Sequence, residues 1–192
     1  NGQFIKELLP VDPKSKVLHG LGQNFYVYDG KLNVFPHFSN TIFSITPDST
    51  TQRYHFYFGD YHFPDDEIFQ KKEYNSQAIM SEIMNNSYVR LMAPYETDEH
   101  LLVKYYVKRQ VLLGIYNKKK HTAINLDPEM VIDSLHLGTF PVPIGFNHNE
   151  FIGQLTLDIQ QKNRIMIPEL QKLMADYSED SNPILIFYSL RS

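Results

Sequence analysis

The sequence predicts an all-β protein. Its 192 residues include 13 Tyr and 13 Phe but no Trp, and large aromatic side chains pack well on the pleated surface of a strand. The turn-forming pair Asp29-Gly30 separates two short runs of alternating apolar residues, and Asn1-Gly2 precedes another, which is the pattern of β-hairpins. Aromatic content and turn spacing together predict short antiparallel strands joined in meanders.

Composition excludes several classes of function. The formal net charge is −4, and the cationic cluster Lys118-Lys119-Lys120 lies at an expected, solvated hairpin turn, so we expect no nucleic-acid partner. The absence of cysteine excludes disulfide frameworks, thiolate zinc sites and cysteine nucleophiles. No apolar stretch approaches the ~20 residues of a membrane-spanning helix, so we expect no transmembrane segment.

The first residues have the form of an incomplete hairpin. Asn1-Gly2 favours a type I′ turn, which needs a strand on each side, and only the outgoing strand follows it. We therefore predict that residues 1–8 form the outer strand of a preceding sheet and that further sequence lies upstream.

Residues 16–63 are predicted to form the first complete meander. Asp29-Gly30 and Pro47-Asp48-Ser49 supply turns, and Gly59-Asp60 ends the last strand, because these residues favour turn conformations. The predicted strands cover residues 24–28, 31–35, 40–45 and 53–58. Residues 64–87 then form a helical connection, since Pro64 and the acids after it suit a first helical turn.

Residues 88–130 are predicted to form the second meander, with strands at 88–93, 99–107, 110–116 and 121–124 and a loop at 94–98. Four strands in about 37 residues fit the ~40–45-residue repeat of a β-propeller blade. Alternation in the second of these strands places Leu102 and Tyr106 opposite Val103, Tyr105 and Val107. Because stacked blades cover both faces, we expect Leu102 and Tyr106 to be largely buried as well.

Residues 131–192 are predicted to form a last, incomplete unit. Its three strands cover residues 144–146, 150–157 and 183–190, and a second helical insert covers 168–177. The whole chain is then one partial β-propeller domain, in which 1–8, 16–63, 88–130 and 131–192 belong to successive blades. A β-sandwich or an irregular barrel of similar strands remains the alternative from strand pattern alone.

Two runs of sequence carry a family resemblance. The first is NTIFSITPD at residues 40–48, followed by Arg53-Tyr54 and Phe58-Gly59, and the second is DSNPILIFYSL at residues 180–190. The chain resembles the C-terminal half of the uncharacterised six-bladed β-propeller proteins, often lipoproteins, of Gram-negative gut bacteria. The resemblance implies about half of a six-bladed ring, exported to the periplasm or the cell surface, with a lipid anchor on an N-terminal segment outside this sequence. It implies no activity.

Three polar clusters are candidates for chemistry. His55, Tyr57 and His62 lie near Asp60 and the acids at 65–67, but their place on a strand and in a helical turn favours structural roles, so we predict no metal site. A pair of carboxylates can supply the acid and the base of glycoside hydrolysis. The cluster formed by Glu96, Asp98, Glu99 and His100, however, has the pattern of a solvated hairpin loop. We therefore predict no catalytic residue there.

The third cluster is the predicted binding site. Asn147-His148-Asn149 is flanked by Phe146 and Phe151, and polar groups beside aromatic rings are typical of a rim that binds sugars or peptides. A plain polar turn between two strands is the competing interpretation. The predicted binding residues are Phe146, Asn147, His148 and Asn149.

Two hypotheses of function follow. The first is a non-enzymatic binding or scaffolding propeller of the bacterial cell envelope, with a glycan or peptide ligand and no cofactor. The alternative is an enzyme that uses the central funnel of the propeller as a glycan hydrolase, lyase or lactonase. Exposed blade faces are expected to be covered by the other propeller half or by a second copy, because uncovered apolar sheet faces promote association.

Overall fold

The computed structural model describes residues 25–36, 39–62, 77, 81, 85–86, 88–107, 110–128, 140–155, 168, 172 and 182–191. The described part contains eleven strands, one short 3₁₀ helix, Gly59–Tyr61, and a few isolated helical positions. The strands are β1 (Phe25–Tyr28), β2 (Lys31–Val34), β3 (Thr41–Ile45), β4 (Thr50–His55), β5 (Arg90–Glu96), β6 (His100–Val107), β7 (Gln110–Asn117), β8 (Thr122–Leu126), β9 (Pro143–Phe146), β10 (Phe151–Leu155) and β11 (Ile184–Tyr188).

These strands form three antiparallel sheets, so the all-β prediction is confirmed. The orders are β1-β2-β3-β4, β5-β6-β7-β8 and β11-β10-β9. The chain forms two compact units, residues 1–93 with 105–110 and residues 94–104 with 111–192. The assembly of the sheets into propeller blades stays a prediction, and the predicted outer strand at 1–8 lies outside the described residues.

The first sheet shows how local sequence determines a hairpin. Asp29 and Gly30 adopt φ values of 50° and 66°, as both central residues of a type I′ turn must, and they pair Tyr28 with Lys31. The fourth strand ends at His55 and not at residue 58 as predicted. Thr41, the first residue of β3, pairs with His55. Beyond it the Phe56 amide still donates to the carbonyl of Asn40 at 2.8 Å, but Asn40 precedes β3, so the strand pairing ends there.

The second sheet corrects the predicted loop at residues 94–98. That prediction is wrong for the first three residues, because β5 continues through Pro94 to Glu96. Proline cannot donate a backbone hydrogen bond and is therefore confined to edge strands or strand ends. β5 is an edge strand of its sheet, so Pro94 does not interrupt the pairing with β6.

Strand β6 is covered on both faces. Leu102 and Val103 are adjacent, and adjacent strand residues point to opposite faces, yet their side chains are 0% and 3% exposed. Tyr105 and Val107 are also buried. Tyr106 is half-buried, and the guanidinium of Arg90 lies 4.7 Å from its ring centroid. The expected burial is therefore confirmed for Leu102 and only partial for Tyr106.

The third sheet contributes its inner face to the core of the second unit. Phe151 packs with Leu102, Leu113 and Ile115 in a buried cluster. Gly153 lies where Pro141 approaches closely, because a Cβ atom at this position would lie 2.8 Å from Pro141 Cβ. The hydroxyl of Tyr188 donates to the Pro141 carbonyl at 2.7 Å, which holds the segment before β9 against the sheet.

The predicted helical inserts are described only at isolated positions. Gln77, Ser81 and Asn85 are helical in the first insert, and Pro168 and Lys172 are helical in the second. Asn86 is the first described residue beyond the helical positions of the first insert, and the other residues of both inserts lie outside the described part of the chain.

Candidate functional site

A cavity of about 770 Å³ lies in the second unit. It forms where three hairpin loops meet, namely the β5–β6 loop (residues 97–99), the β7–β8 loop (118–121) and the β9–β10 loop (147–150). The lining residues are Thr97, Asp98, Glu99, His100, Lys119, Asn147, Asn149, Glu150, Phe151, Ser189 and Leu190. Polar side chains therefore dominate its wall.

The β5–β6 loop is a tight turn closed by Thr97 and His100. The Thr97 amide donates to the His100 carbonyl at 2.8 Å, and the His100 amide donates to Thr97 Oγ1 at 3.1 Å. Because the Thr97 hydroxyl satisfies a backbone donor, the turn holds Asp98 and Glu99 at the rim of the cavity. Both ends of the turn are buried, Thr97 at 2% and His100 at 4% exposure.

A buried ion pair anchors the same turn to the β7–β8 loop. Lys118 Nζ lies 2.7 Å from Glu96 Oε1, with the side chains 18% and 0% exposed, and Nζ also donates to the Thr97 carbonyl at 2.6 Å. The expectation of a solvated loop is therefore wrong for Glu96 and His100, and that of a solvated turn is wrong for Lys118. The carboxylate of Glu96 is buried, and a charge removed from water needs an opposite charge nearby, so Lys118 is drawn into the structure as its partner.

Lys119 and Glu99 form a second ion pair at the rim, and both side chains are exposed. The hydrogen bond from Lys119, and then its positive charge, lowers the pKa of the Glu99 carboxyl. An exposed pair of this kind contributes little to stability. Its chemical consequence is that Glu99 is an anionic acceptor facing the cavity.

His100 lies at the wall of the cavity and is nearly enclosed. Its Nε2 atom lies 3.1 Å from Asn117 Nδ2. Burial lowers the pKa of the imidazole, Glu99 raises it, and the positive charges of Lys118 and Lys119 lower it further. The net direction is downward, so the ring is neutral at neutral pH.

The β9–β10 loop is held by Asn147. Its Oδ1 atom accepts from the backbone amides of Asn149 and Glu150, each at 3.0 Å, an arrangement that asparagine side chains favour in turns. The Asp98 amide donates to the His148 carbonyl at 2.9 Å. When the side-chain amide of Asn149 is oriented so that its nitrogen faces Asp98, that nitrogen donates to Asp98 Oδ2 at 3.2 Å. Hydrogen bonds therefore join two loops that are about fifty residues apart in sequence.

The structure separates the four residues of the predicted binding site. Asn147 and Asn149 line the cavity. The exposed His148 contributes its carbonyl to the loop contact with Asp98, and Phe146 packs against the apolar cluster beneath. Ligand binding by these residues stays a prediction.

The sequence pattern predicted the two polar loops as separate clusters. Phe151 was named as a flanking residue of the second loop, and the lining residues outside both clusters and without any predicted role in binding are Thr97, Lys119, Glu150, Ser189 and Leu190. No local signal marks these five residues, because the meeting of the loops depends on contacts between residues that are distant in sequence.

The histidine cluster of the first unit has structural partners. Thr41 Oγ1 lies 2.9 Å from His55 Nδ1, and Asn40 Nδ2 lies 3.0 Å from His62 Nε2. Tyr57 is 83% exposed. Within the described ranges, no three His, Asp or Glu side chains are grouped to hold a metal ion, and the acids at 65–67 lie outside those ranges.

Comparison with known proteins gives a family. Residues 1–189 match the domain of unknown function DUF4934. The chain belongs to this family. No curated protein matches it. Among the residues that can be described, no helix has the length and apolar character needed to cross a membrane.

A solved structure shares the fold of this DUF4934 domain. It is the crystal structure of a "Putative exported protein" from Bacteroides fragilis NCTC 9343, with a TM-score of 0.76 at 18% sequence identity. The similarity covers 100% of this chain and 55% of the Bacteroides protein, so the chain spans about half of that protein's length. At this identity the likeness concerns the fold alone.

The cavity has the chemistry of a polar binding site. Three carboxylates accept hydrogen bonds, two amides donate and accept, and one ammonium and one imidazole add further donors. Phe151 and Leu190 supply the apolar part of the wall. Such an arrangement can hold a ligand that has many hydrogen-bonding groups.

Proposed function

We propose that this chain is a non-enzymatic binding module and that its cavity binds a glycan. The observation that carries the proposal is the convergence of three polar loops on one cavity, held in place by hydrogen bonds between the loops. Asp98 and the β9–β10 loop are joined through backbone and side-chain contacts. A preorganised wall loses little conformational entropy on binding, which favours affinity.

The size and charge of the cavity support a neutral sugar. Ligand pockets typically measure about 300–1,000 Å³, and this cavity measures about 770 Å³. Its wall carries three carboxylates, Asp98, Glu99 and Glu150, against the ammonium of Lys119. An anionic ligand would be repelled, whereas sugar hydroxyls donate to carboxylates and accept from amides.

The electrostatics of the rim make Glu99 unsuited to serve as the general acid of a glycoside hydrolase. A glycosidase needs one carboxyl group that stays protonated at its working pH, which requires a raised pKa. Lys119 instead lowers the pKa of Glu99. Glu99 is therefore suited to accept a hydrogen bond from a ligand and unsuited to donate a proton to a leaving group.

The wider setting of the proposal is an exported β-propeller of the bacterial cell envelope, lipid-anchored through an N-terminal segment outside this sequence. Three sheets of three or four strands and the fold shared with the Bacteroides protein support this setting. Accessibility of the secreted protein to externally added protease in the native host tests export. A wholly cytoplasmic pool would contradict it.

Asn149→Ala tests the glycan site. The variant removes a side-chain amide from the cavity wall, and we expect about tenfold weaker glycan binding, the equivalent of one hydrogen bond of about 1.4 kcal/mol. A glycan array identifies the ligand, and titration calorimetry with the full 192-residue chain measures the dissociation constant. The matched control is Asn125→Ala, an exposed asparagine on β8, which is expected to bind as the unmodified protein does. Binding of peptides but of no glycan would contradict the proposal.

We also propose that another sheet of the same kind covers the outer face of the third sheet. Leu185 and Phe187 alternate along β11 and are 51% and 55% exposed, as is Ile144 on β9 at 55%. In a longer protein the covering sheet comes from the remaining chain, and for this 192-residue chain alone it comes from a second copy. Light scattering is expected to give a dimer that Phe187→Ser converts to a monomer. A stable monomer of the unmodified chain would contradict this part of the proposal.

A further inference from the structure

The orientation of one buried amide determines where the proton of His100 lies. Asn117 Oδ1 accepts from the backbone amides of Lys119 and Lys120, at 3.0 and 2.8 Å. Because only the oxygen of a side-chain amide can accept these bonds, the amide nitrogen is the atom turned toward His100. The turn that places three lysines in the β7–β8 loop therefore also fixes the direction of the Asn117 side chain.

Asn117 in turn selects the tautomer of His100. The Asn117 amide nitrogen lies 3.1 Å from His100 Nε2, and an NH₂ group can only donate. Nε2 must therefore accept, so it carries no proton. A neutral imidazole has one N–H, and in His100 it is Nδ1–H.

The Nδ1–H group is an open donor. Nδ1 has no hydrogen-bond partner among the described residues. It is also not fully enclosed, because the enclosed polar atoms without a partner do not include it. Only 4% of the surface of His100 is exposed, and the residue lines the cavity. The accessible N–H of a nearly buried ring therefore faces the cavity.

We propose that His100 Nδ1–H is the specificity-determining donor of this site and binds an uncharged oxygen of the ligand, a sugar hydroxyl or carbonyl. This inference rests on the glycan site proposed above and names the contact that selects its ligand. A site with a fixed buried donor discriminates strongly against ligands that lack the matching acceptor, because the donor is then left without a partner. The carboxylates of Asp98, Glu99 and Glu150 around it exclude anionic acceptors.

Two substitutions separate the ligand contact from the structural contact. His100→Gln places an amide oxygen near the position of Nε2, where it still accepts from Asn117, but it leaves no donor at the position of Nδ1. His100→Asn places an amide nitrogen near the position of Nδ1 and loses the contact to Asn117. We expect His100→Gln to bind the glycan about tenfold more weakly with little change in Tm. His100→Asn is expected to lower Tm and, well below Tm, to keep most of the affinity.

A spectroscopic readout tests the tautomer without any ligand. Long-range ¹H–¹⁵N spectra of the histidine rings distinguish protonated from unprotonated nitrogens in the free protein, and His100→Gln assigns the signal. We expect His100 to show a protonated Nδ1 and an unprotonated Nε2 at neutral pH. The opposite tautomer, or a glycan affinity unchanged in His100→Gln, would overturn the inference. The first failure leaves the proposed glycan site standing, whereas a chain that binds no glycan but has the expected tautomer contradicts the proposed function.

Discussion

Replacing Lys118 by methionine is expected to lower the free energy of unfolding by about 3 kcal/mol or more. The methionine keeps the apolar stem of the lysine but removes the ammonium group that lies 2.7 Å from the Glu96 carboxylate. Glu96 is fully buried, so water cannot replace the lost partner. The Thr97 carbonyl loses its hydrogen bond from the same group. Urea denaturation followed by circular dichroism measures the change.

Two further variants identify the buried charge as the cause. Lys120→Met is the matched control, because Lys120 is an exposed lysine of the same loop, and its effect is expected to stay within about 0.5 kcal/mol. Glu96→Gln combined with Lys118→Met removes both charges and is expected to recover part of the lost stability. Equal effects of Lys118→Met and Lys120→Met would show that the ion pair does not stabilise the fold.

Truncation of Phe151 to alanine has an expected cost of about 3–5 kcal/mol. The side chain is 1% exposed and packs with Leu102, Leu113 and Ile115, while its ring centroid lies 5.7 Å from that of Tyr188. Alanine would leave a cavity that the surrounding β-sheet cannot close. The variant therefore loses both the free energy of burying the ring and the ring's packing contacts. Differential scanning calorimetry and chemical denaturation report the loss.

The control for this truncation is Tyr57→Ala. Tyr57 is also aromatic but is 83% exposed, so its removal is expected to change stability by less than about 0.5 kcal/mol. Phe151→Leu should fall between the two, because it keeps most of the apolar volume. A Phe151→Ala variant as stable as Tyr57→Ala would contradict the assignment of Phe151 to the core.

Local patterns predicted the strands and missed some of their ends. Asp29-Gly30 predicted its hairpin because both residues adopt positive φ, which is a property of the residues themselves. The strand that contains Pro94 was predicted too short, since whether a proline ends a strand depends on whether that strand lies at an edge. Edge position is decided by the sheet and not by the residue.

The candidate site was predicted in pieces. The residue types of the β9–β10 loop predicted Asn147 and Asn149 as binding residues, and both line the cavity. Burial of Glu96 and His100 reversed the interpretation of the β5–β6 loop, because a hairpin loop in isolation is solvated. Lys118 looked like a surface charge for the same reason.

The sequence by itself determined the all-β class, the meanders and the turn chemistry of this DUF4934 domain, because period-2 alternation and turn preferences act over a few residues. Tertiary structure alone decided that the loop at 97–99 meets the loop at 147–150, that Lys118 neutralises Glu96, and that Asn117 sets the tautomer of His100. These contacts depend on how strands from distant parts of the chain pack together. The charge and the hydrogen bonds of a side chain follow from its neighbours in space, and no local sequence pattern specifies those neighbours.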